Sequence, residues 1–91
     1  MQENEKELEY KKKIFKRAAG KVVRKLRGDM GIIALYNLSG LPAPSLTRME
    51  KGESDPQFST ICRLAHVHNM KCSDLVRMIE EELPNDFTFK P

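Results

Sequence analysis

The longest uninterrupted pattern in the chain is helical. Residues 3–27 contain no proline and a single glycine, Gly20. Tyr10, Ile14, Ala18 and Val22 recur at spacing four, and Phe15, Ala19, Val23 and Leu26 fill the adjoining row. That is a 3.6-residue period, so the spacing predicts one helix with one apolar face, with Gly20 the only point where it would break. Gly28 marks its end. Ahead of the basic run stand Glu5, Glu7 and Glu9, placed for i,i+4 pairs such as Glu7–Lys11 and Glu9–Lys13.

The rest of the chain divides into shorter helical segments. Asp29 is placed to cap a second helix from about Met30 to Leu38, stopped by Ser39-Gly40. A third helix follows Pro42-Ala43-Pro44, carries Leu46, Arg48 and Met49, and ends at Lys51-Gly52. Asp55-Pro56 opens a fourth, whose inward stripe reads Phe58, Ile61, Cys62, Leu64 and Ala65. Asn69 tolerates the left-handed conformation that ends a helix. Ser73-Asp74 starts a fifth helix with Leu75, Val76, Met78 and Ile79, and Pro84 closes it. No strand signal appears. The expectation is an all-α fold of five helices: a helical extension over 1–18, basic from residue 11, a domain over 19–83 and a tail over 84–91.

Charge is distributed unevenly. The net charge is +3, but residues 1–10 carry −3, residues 11–30 carry +8 and residues 31–91 carry −2. A basic block of that density suits a phosphate backbone, or it is a solvated helix face. No apolar run is long enough to span a membrane and the start shows no secretion pattern, so the cytoplasm is the expected compartment. Cys62 and Cys72 do not form a disulfide framework. With His66 and His68 they suggest a zinc ligand set, Cys-x3-His-x-His-x3-Cys, but histidines at i and i+2 diverge on a helix. The plainer reading is two small core thiols and a partly buried His68. No nucleophile–base pair, paired carboxylates or glycine-rich phosphate loop is present. Neither an enzyme nor a cofactor is expected.

From Gly20 to Ile79 the sequence resembles the lambda repressor-like helix-turn-helix family, of Cro/cI or XRE type. Ser39-Gly40-Leu41 with Leu46-Thr47-Arg48-Met49-Glu50-Lys51-Gly52 is similar to that family's turn and recognition helix. Asp55-Pro56-Gln57-Phe58-Ser59-Thr60-Ile61-Cys62-Arg63-Leu64-Ala65 is similar to its "xPsxxTLxxIA" segment, and Asn69-Met70-Lys71-Cys72-Ser73-Asp74-Leu75 to "GVSxxEL". Gly20-Lys21-Val22-Val23-Arg24-Lys25-Leu26-Arg27 resembles "GxxIRxLR". The resemblance implies a homodimeric transcriptional regulator, a repressor more than an activator. A recognition helix at about 43–51 would lie in the major groove of duplex DNA. The sequence departs from the pattern where Ile32 replaces a phosphate-clamping polar residue. It departs again where Tyr36 replaces a small residue at the helix–helix contact, and where Pro42-Ala43-Pro44-Ser45 opens the recognition helix.

Under that resemblance Arg48 is the base reader, since Arg to guanine is the commonest specific contact; otherwise it is a surface Arg paired with an acid. Ser45 and Thr47 bond bases or phosphate, Ala43 and Pro44 touch a thymine methyl, and Lys51 meets phosphate. Lys21, Arg24 and Lys25 would neutralise phosphate at the flank. One of Arg24, Lys25 and Arg27 would instead pair with Glu50, and Leu35, Leu38, Leu41, Leu46 and Met49 would hold the two central helices together. Outside the motif, Tyr10, Ile14, Phe15, Leu83, Phe87 and Phe89 fold back on the domain or form a dimer surface, with the dimer favoured. The alternative function is a helix-turn-helix fold reused for protein interaction, of antitoxin-like or anti-repressor kind.

Overall fold

The structure, a computed structural model, describes the backbone of residues 2–90 and the side chains of residues 5–90. Met1 and Pro91, the outer ends of the expected extension and tail, lie outside the described residues. Five helices and no strand occur among the described residues. They are α1 (Gln2–Arg27), α2 (Ile32–Ser39), α3 (Ala43–Glu50), α4 (Phe58–Val67) and α5 (Cys72–Glu82). At 1.5 Å per residue, the 26 residues of α1 account for about 39 Å of the molecule's 44 Å long axis.

Helix α1 does not break at Gly20. Ala18, Ala19, Val22 and Val23 are buried, and α3 crosses directly over the glycine. A Cβ on Gly20 would lie 2.4 Å from the Met49 carbonyl oxygen and 2.9 Å from that of Glu50. Helical periodicity sees glycine as a weak point, whereas here the absent side chain is what lets two backbones touch. The N-terminal half of α1 is largely exposed and carries the Glu7–Lys11 pair at 3.5 Å. The expected Glu9–Lys13 pair is replaced by Glu9–Lys12 at 3.9 Å, one residue nearer on the same side.

The core is one cluster built from all five helices, with Leu35, Leu46, Leu64, Ala65 and Leu75 fully enclosed. Three left-handed glycines and one left-handed asparagine shape the connections: Gly28 (φ 56°), Gly40 (φ 75°), Gly52 (φ 74°) and Asn69 (φ 58°). Several expected boundaries move. α2 begins at Ile32 behind Gly31, so Asp29 does not cap it. α4 begins at Phe58 behind an extended Gln57, and Asp55-Pro56 belongs to the irregular connection before it. α5 starts at Cys72, one residue ahead of Ser73-Asp74, with Asp74 in its first turn.

Two residues expected to pack are outside the core. Leu38 is 62 % exposed and Phe58 is 70 % exposed. On α2 the buried side is Leu35 and Ser39 with half-buried Ile32, which turns Leu38 to the flank. Phe58 is the first residue of α4, and the buried row of that helix starts one turn later at Ile61.

The segment after α5 folds back along α1. Phe89 packs on Phe15 with ring centroids 5.8 Å apart, and Phe87 meets Phe89 edge-on at 5.1 Å. Lys11 donates to the Lys90 carbonyl. Ile14 and Phe15 are thereby half-covered within the chain, while Tyr10 stays exposed.

Candidate nucleic-acid interface

Helices α2 and α3 are joined by only three residues, Gly40, Leu41 and Pro42. A turn that short needs its carbonyls and amides satisfied locally, and Ser39 does most of this. Its hydroxyl donates to the Leu35 carbonyl at 2.7 Å and accepts from the Leu41 amide at 3.1 Å. The Gly40 amide donates to the Tyr36 carbonyl at 2.7 Å, which the positive φ permits. Ser39 is the one buried polar residue of the described chain, and its role as a clasp was not legible from sequence. Pro42 then sets an extended approach to α3, and Pro44, in the first turn, lacks an N–H that would have no partner there anyway.

With Leu46 and Met49 buried, α3 presents its other side outward. Pro44 and Arg48 are exposed, and Ala43, Ser45 and Thr47 are half-buried. Lys51, just past the helix, is exposed. Among the described residues no ion pair involves Arg48 or Lys51. The Arg48 guanidinium therefore has no competing carboxylate among the described residues. The chain leaves α3 by the left-handed Gly52, which lies against the backbone of Arg17 in α1.

The basic end of α1 is arranged differently from α3. Glu50 of α3 receives Arg27 in a two-pronged contact, 2.7 Å from Nε and 3.0 Å from Nη2. Arg27 also donates to the Met30 carbonyl at 2.7 Å, and Arg24 approaches Glu50 at 3.8 Å. The bonds that Arg27 donates to Glu50 hold its guanidinium charged more firmly than usual, against its partial desolvation. Glu82, at the end of α5, receives Lys21 at 3.1 Å and Lys25 at 3.7 Å. Hydrogen bonding from Lys21, then the charges of Lys21 and Lys25, hold the Glu82 carboxyl below its ordinary range, against desolvation. Two carboxylates thus engage all four basic residues of the last two turns of α1. Of Arg24, Lys25 and Arg27, it is Arg27 that Glu50 holds most closely. Lys21, Arg24 and Lys25 each have an ion-pair partner, yet their side chains remain about two-thirds exposed, and such pairs are weak in water. Glu82 was not singled out from sequence, because nothing in its local pattern links it to a helix more than fifty residues earlier.

A second feature concerns the surface between these groups. From Met30 to Thr47 the chain carries no Asp, Glu, Lys, Arg or His, in a protein whose charged fraction is 32 %. This stretch is α2, the turn and most of α3. Ile33, Ala34, Tyr36, Asn37 and Leu38 are all exposed. Tyr36 therefore does not fill the α2–α3 contact; it points to the outside at 44 % exposure.

No group of three or more His, Cys, Asp or Glu side chains in the described residues is arranged to hold a metal ion. Cys62 and Cys72 are half-buried and unbridged. A bond with Cys62 pushes the Cys72 thiol up to about 11, with burial and the Cys62 charge adding to it. A thiol held protonated is a poor metal ligand and a slow nucleophile. No helix of the described residues is long and apolar enough to cross a membrane. Comparison with protein-family models, with curated proteins and with solved structures finds no match.

Proposed function

We propose that the chain is a sequence-specific duplex-DNA-binding transcriptional regulator, a repressor, of the lambda repressor-like helix-turn-helix type. The observation that carries this reading is the pairing of α2 and α3 across a three-residue turn. It buries Leu46 and Met49 and leaves Pro44, Ser45 and Arg48 on the outer side of α3. A helix seated this way enters a major groove by its first turns. Arg48, without a carboxylate partner among the described residues, reads guanine; Lys51 meets phosphate; Ser45 and Thr47 bond bases or phosphate; Ala43 and Pro44 add apolar contact to thymine methyls. Lys21, Arg24 and Lys25 sit at the flank and exchange their carboxylates for phosphates on binding.

Selection of bound sequences from a random duplex pool tests the class, with a two-fold symmetric consensus expected. Arg48→Ala, compared with the unmodified chain on that operator and on variants with one base pair changed, tests the role. The loss is expected at one base pair per half-site, about 1–3 kcal/mol of discrimination. An equal loss on every duplex makes Arg48 a phosphate contact, and no selected consensus rejects the reading.

A second reading is favoured by the uncharged stretch from Met30 to Thr47 and the exposed Ile33 and Leu38. An apolar helix left uncovered suits a protein partner better than a phosphate backbone. Under this reading the fold is a protein-interaction module, and the salt dependence of DNA binding is near zero.

A further inference from the structure

Away from α2 and α3, the helices α1, α4 and α5 enclose an open apolar groove of about 230 Å³. It is lined by Phe15, Phe58, Ile61, Val76 and Ile79, with Glu80 as the one charged group. Phe58 is the most exposed of the large apolar side chains among the described residues. A cavity of about 150 Å³ accepts a benzene ring, so this groove has room for the ring of a phenylalanine. A protruding ring and a ring-sized hollow therefore lie side by side on one face of the molecule.

We propose that this face is where two copies of the chain associate, the Phe58 ring of each entering the groove of the other. A knob and a hole in the same patch are self-complementary about a two-fold axis, so the contact closes at two copies and does not extend into a fibre. The rim supports the same occupant. A second hollow shares the Phe15 wall and continues the apolar strip to Leu8 and Phe89, each more than two-fifths exposed, and its edge carries Lys12 and Asp55. With Glu80 the rim presents both signs of charge, so a second copy of the same surface need not meet it with like charges alone. The strip also supplies area. A stable dimer covers on the order of 800 Å² on each partner, more than one groove provides, and the Leu8–Phe89–Phe15–Phe58–Val76 band extends the contact across four elements. No lining residue belongs to α2 or α3, so both stay open in the pair.

The proposal gives the expected homodimer a specific surface, and its test contains no DNA, so it stands or falls apart from the DNA-binding reading. The full chain is examined by sedimentation equilibrium from low micromolar to millimolar concentration, together with Phe58→Asp and Val76→Trp. The first removes the knob and the second fills the hole; far-ultraviolet circular dichroism and a thermal melt confirm that each folds. The unmodified chain is expected to follow a monomer–dimer equilibrium. Each variant is expected to raise the dissociation constant on the order of 100-fold, because two anchors are removed per dimer and each buried aromatic anchor is worth about tenfold or more. In a mixture of isotope-labelled and unlabelled chains, filtered nuclear Overhauser effects are expected between the Phe58 ring of one copy and the Val76 and Ile79 methyls of the other. A chain that stays monomeric at millimolar concentration overturns the proposal. A dimer whose dissociation constant is unchanged in the Phe58→Asp and Val76→Trp proteins overturns it as well.

Discussion

Gly20 of α1 and Met49 of α3 meet backbone to backbone: a Cβ at position 20 would lie 2.4 Å from the Met49 carbonyl oxygen. Helix propensity alone says that Gly20→Ala should stabilise a mid-helix position by about 0.5–1 kcal/mol. The packing says the opposite, because the obstructing atoms are main chain and cannot rotate aside. Gly20→Ala is expected to destabilise by about 1–3 kcal/mol or more, read as a lower denaturant midpoint in circular dichroism. A gain in stability would mean that α3 does not cross α1 at this point.

Gly40 presents the contrasting case. No atom lies within 4 Å of where its Cβ would be, so space is not the constraint. Its φ of 75° is, since a β-branched residue is strained there. Gly40→Val is expected to lower stability by about 1–3 kcal/mol, and Gly40→Asn by much less, because asparagine tolerates the left-handed region. Equal losses for both in a thermal melt would point to sterics and not to backbone conformation.

The two carboxylates that gather the basic residues of α1 should behave differently. Glu50 is nearly enclosed and bound by two nitrogens of Arg27. Glu50→Ala strands that guanidinium, and a loss of about 1.5–3 kcal/mol is expected. Glu82 is tied to Lys21 and Lys25, which are open to solvent. Its folded carboxyl titrates below the unfolded one, so its stabilisation is present above the usual carboxylate range and fades as pH falls through the folded value. Glu82→Gln is expected to lower the melting temperature slightly at neutral pH, where the stabilisation is present, to change little below the carboxylate range, and so to remove part of the drop on acidification. A pH profile superimposable on the unmodified one would show that the pairs do not form in solution.

If Lys21, Arg24 and Lys25 serve DNA as proposed, removing Glu82 also frees two of them. Glu82→Gln should then tighten binding to all duplexes alike. Replacing the three basic residues by glutamine should weaken it and lower the salt slope by about 0.9 for each phosphate no longer neutralised. Filter binding across salt concentrations measures both, and an unchanged slope in the triple variant would exclude these residues from the interface.

Cys72 offers a chemical check on the α4–α5 packing. With its thiol pushed up to about 11, the thiolate fraction at pH 8 is on the order of one in a thousand. Iodoacetamide should therefore modify Cys72 slowly in the folded protein, and Cys62→Ala should speed that reaction by removing the bond that holds the proton. Mass spectrometry of the modified chain reads both rates.

The parts legible in sequence were those set by short-range periodicity and by backbone chemistry. The spacing of Ala18, Val22, Ala19 and Val23 gave the buried face of α1, and Gly28, Gly40, Gly52 and Asn69 stand where helices end. Boundaries slipped at Asp29, Asp55-Pro56 and Ser73 because a capping residue type does not say which turn will close. Spacing and apolar character place Leu38 and Phe58 inside, yet each falls off the row that its short helix buries. On the candidate interface, the resemblance supplied Arg48, Lys51 and the Glu50 pairing. It was silent on Glu82, on the Ser39 clasp and on the return of Phe87 and Phe89 to α1. Each of these depends on where distant segments meet, which period and propensity do not encode.

Helix α1 runs without interruption from residues that hold the returning tail, Lys11 and Phe15, to residues that hold the core, Val22 and Val23. It therefore acts as a shaft with a fixed phase. Inserting one residue between Lys16 and Arg17 would rotate the outer half by about 100° against the core. Phe15 would swing away from Phe89 while the buried row stayed in register. Inserting seven would return the face to within about 20° but carry it roughly 10 Å along the axis, so that Phe15 no longer stands level with Phe89. The angular setting of this one rod decides whether Phe15 and the returning Phe89 lie on the same side of the molecule.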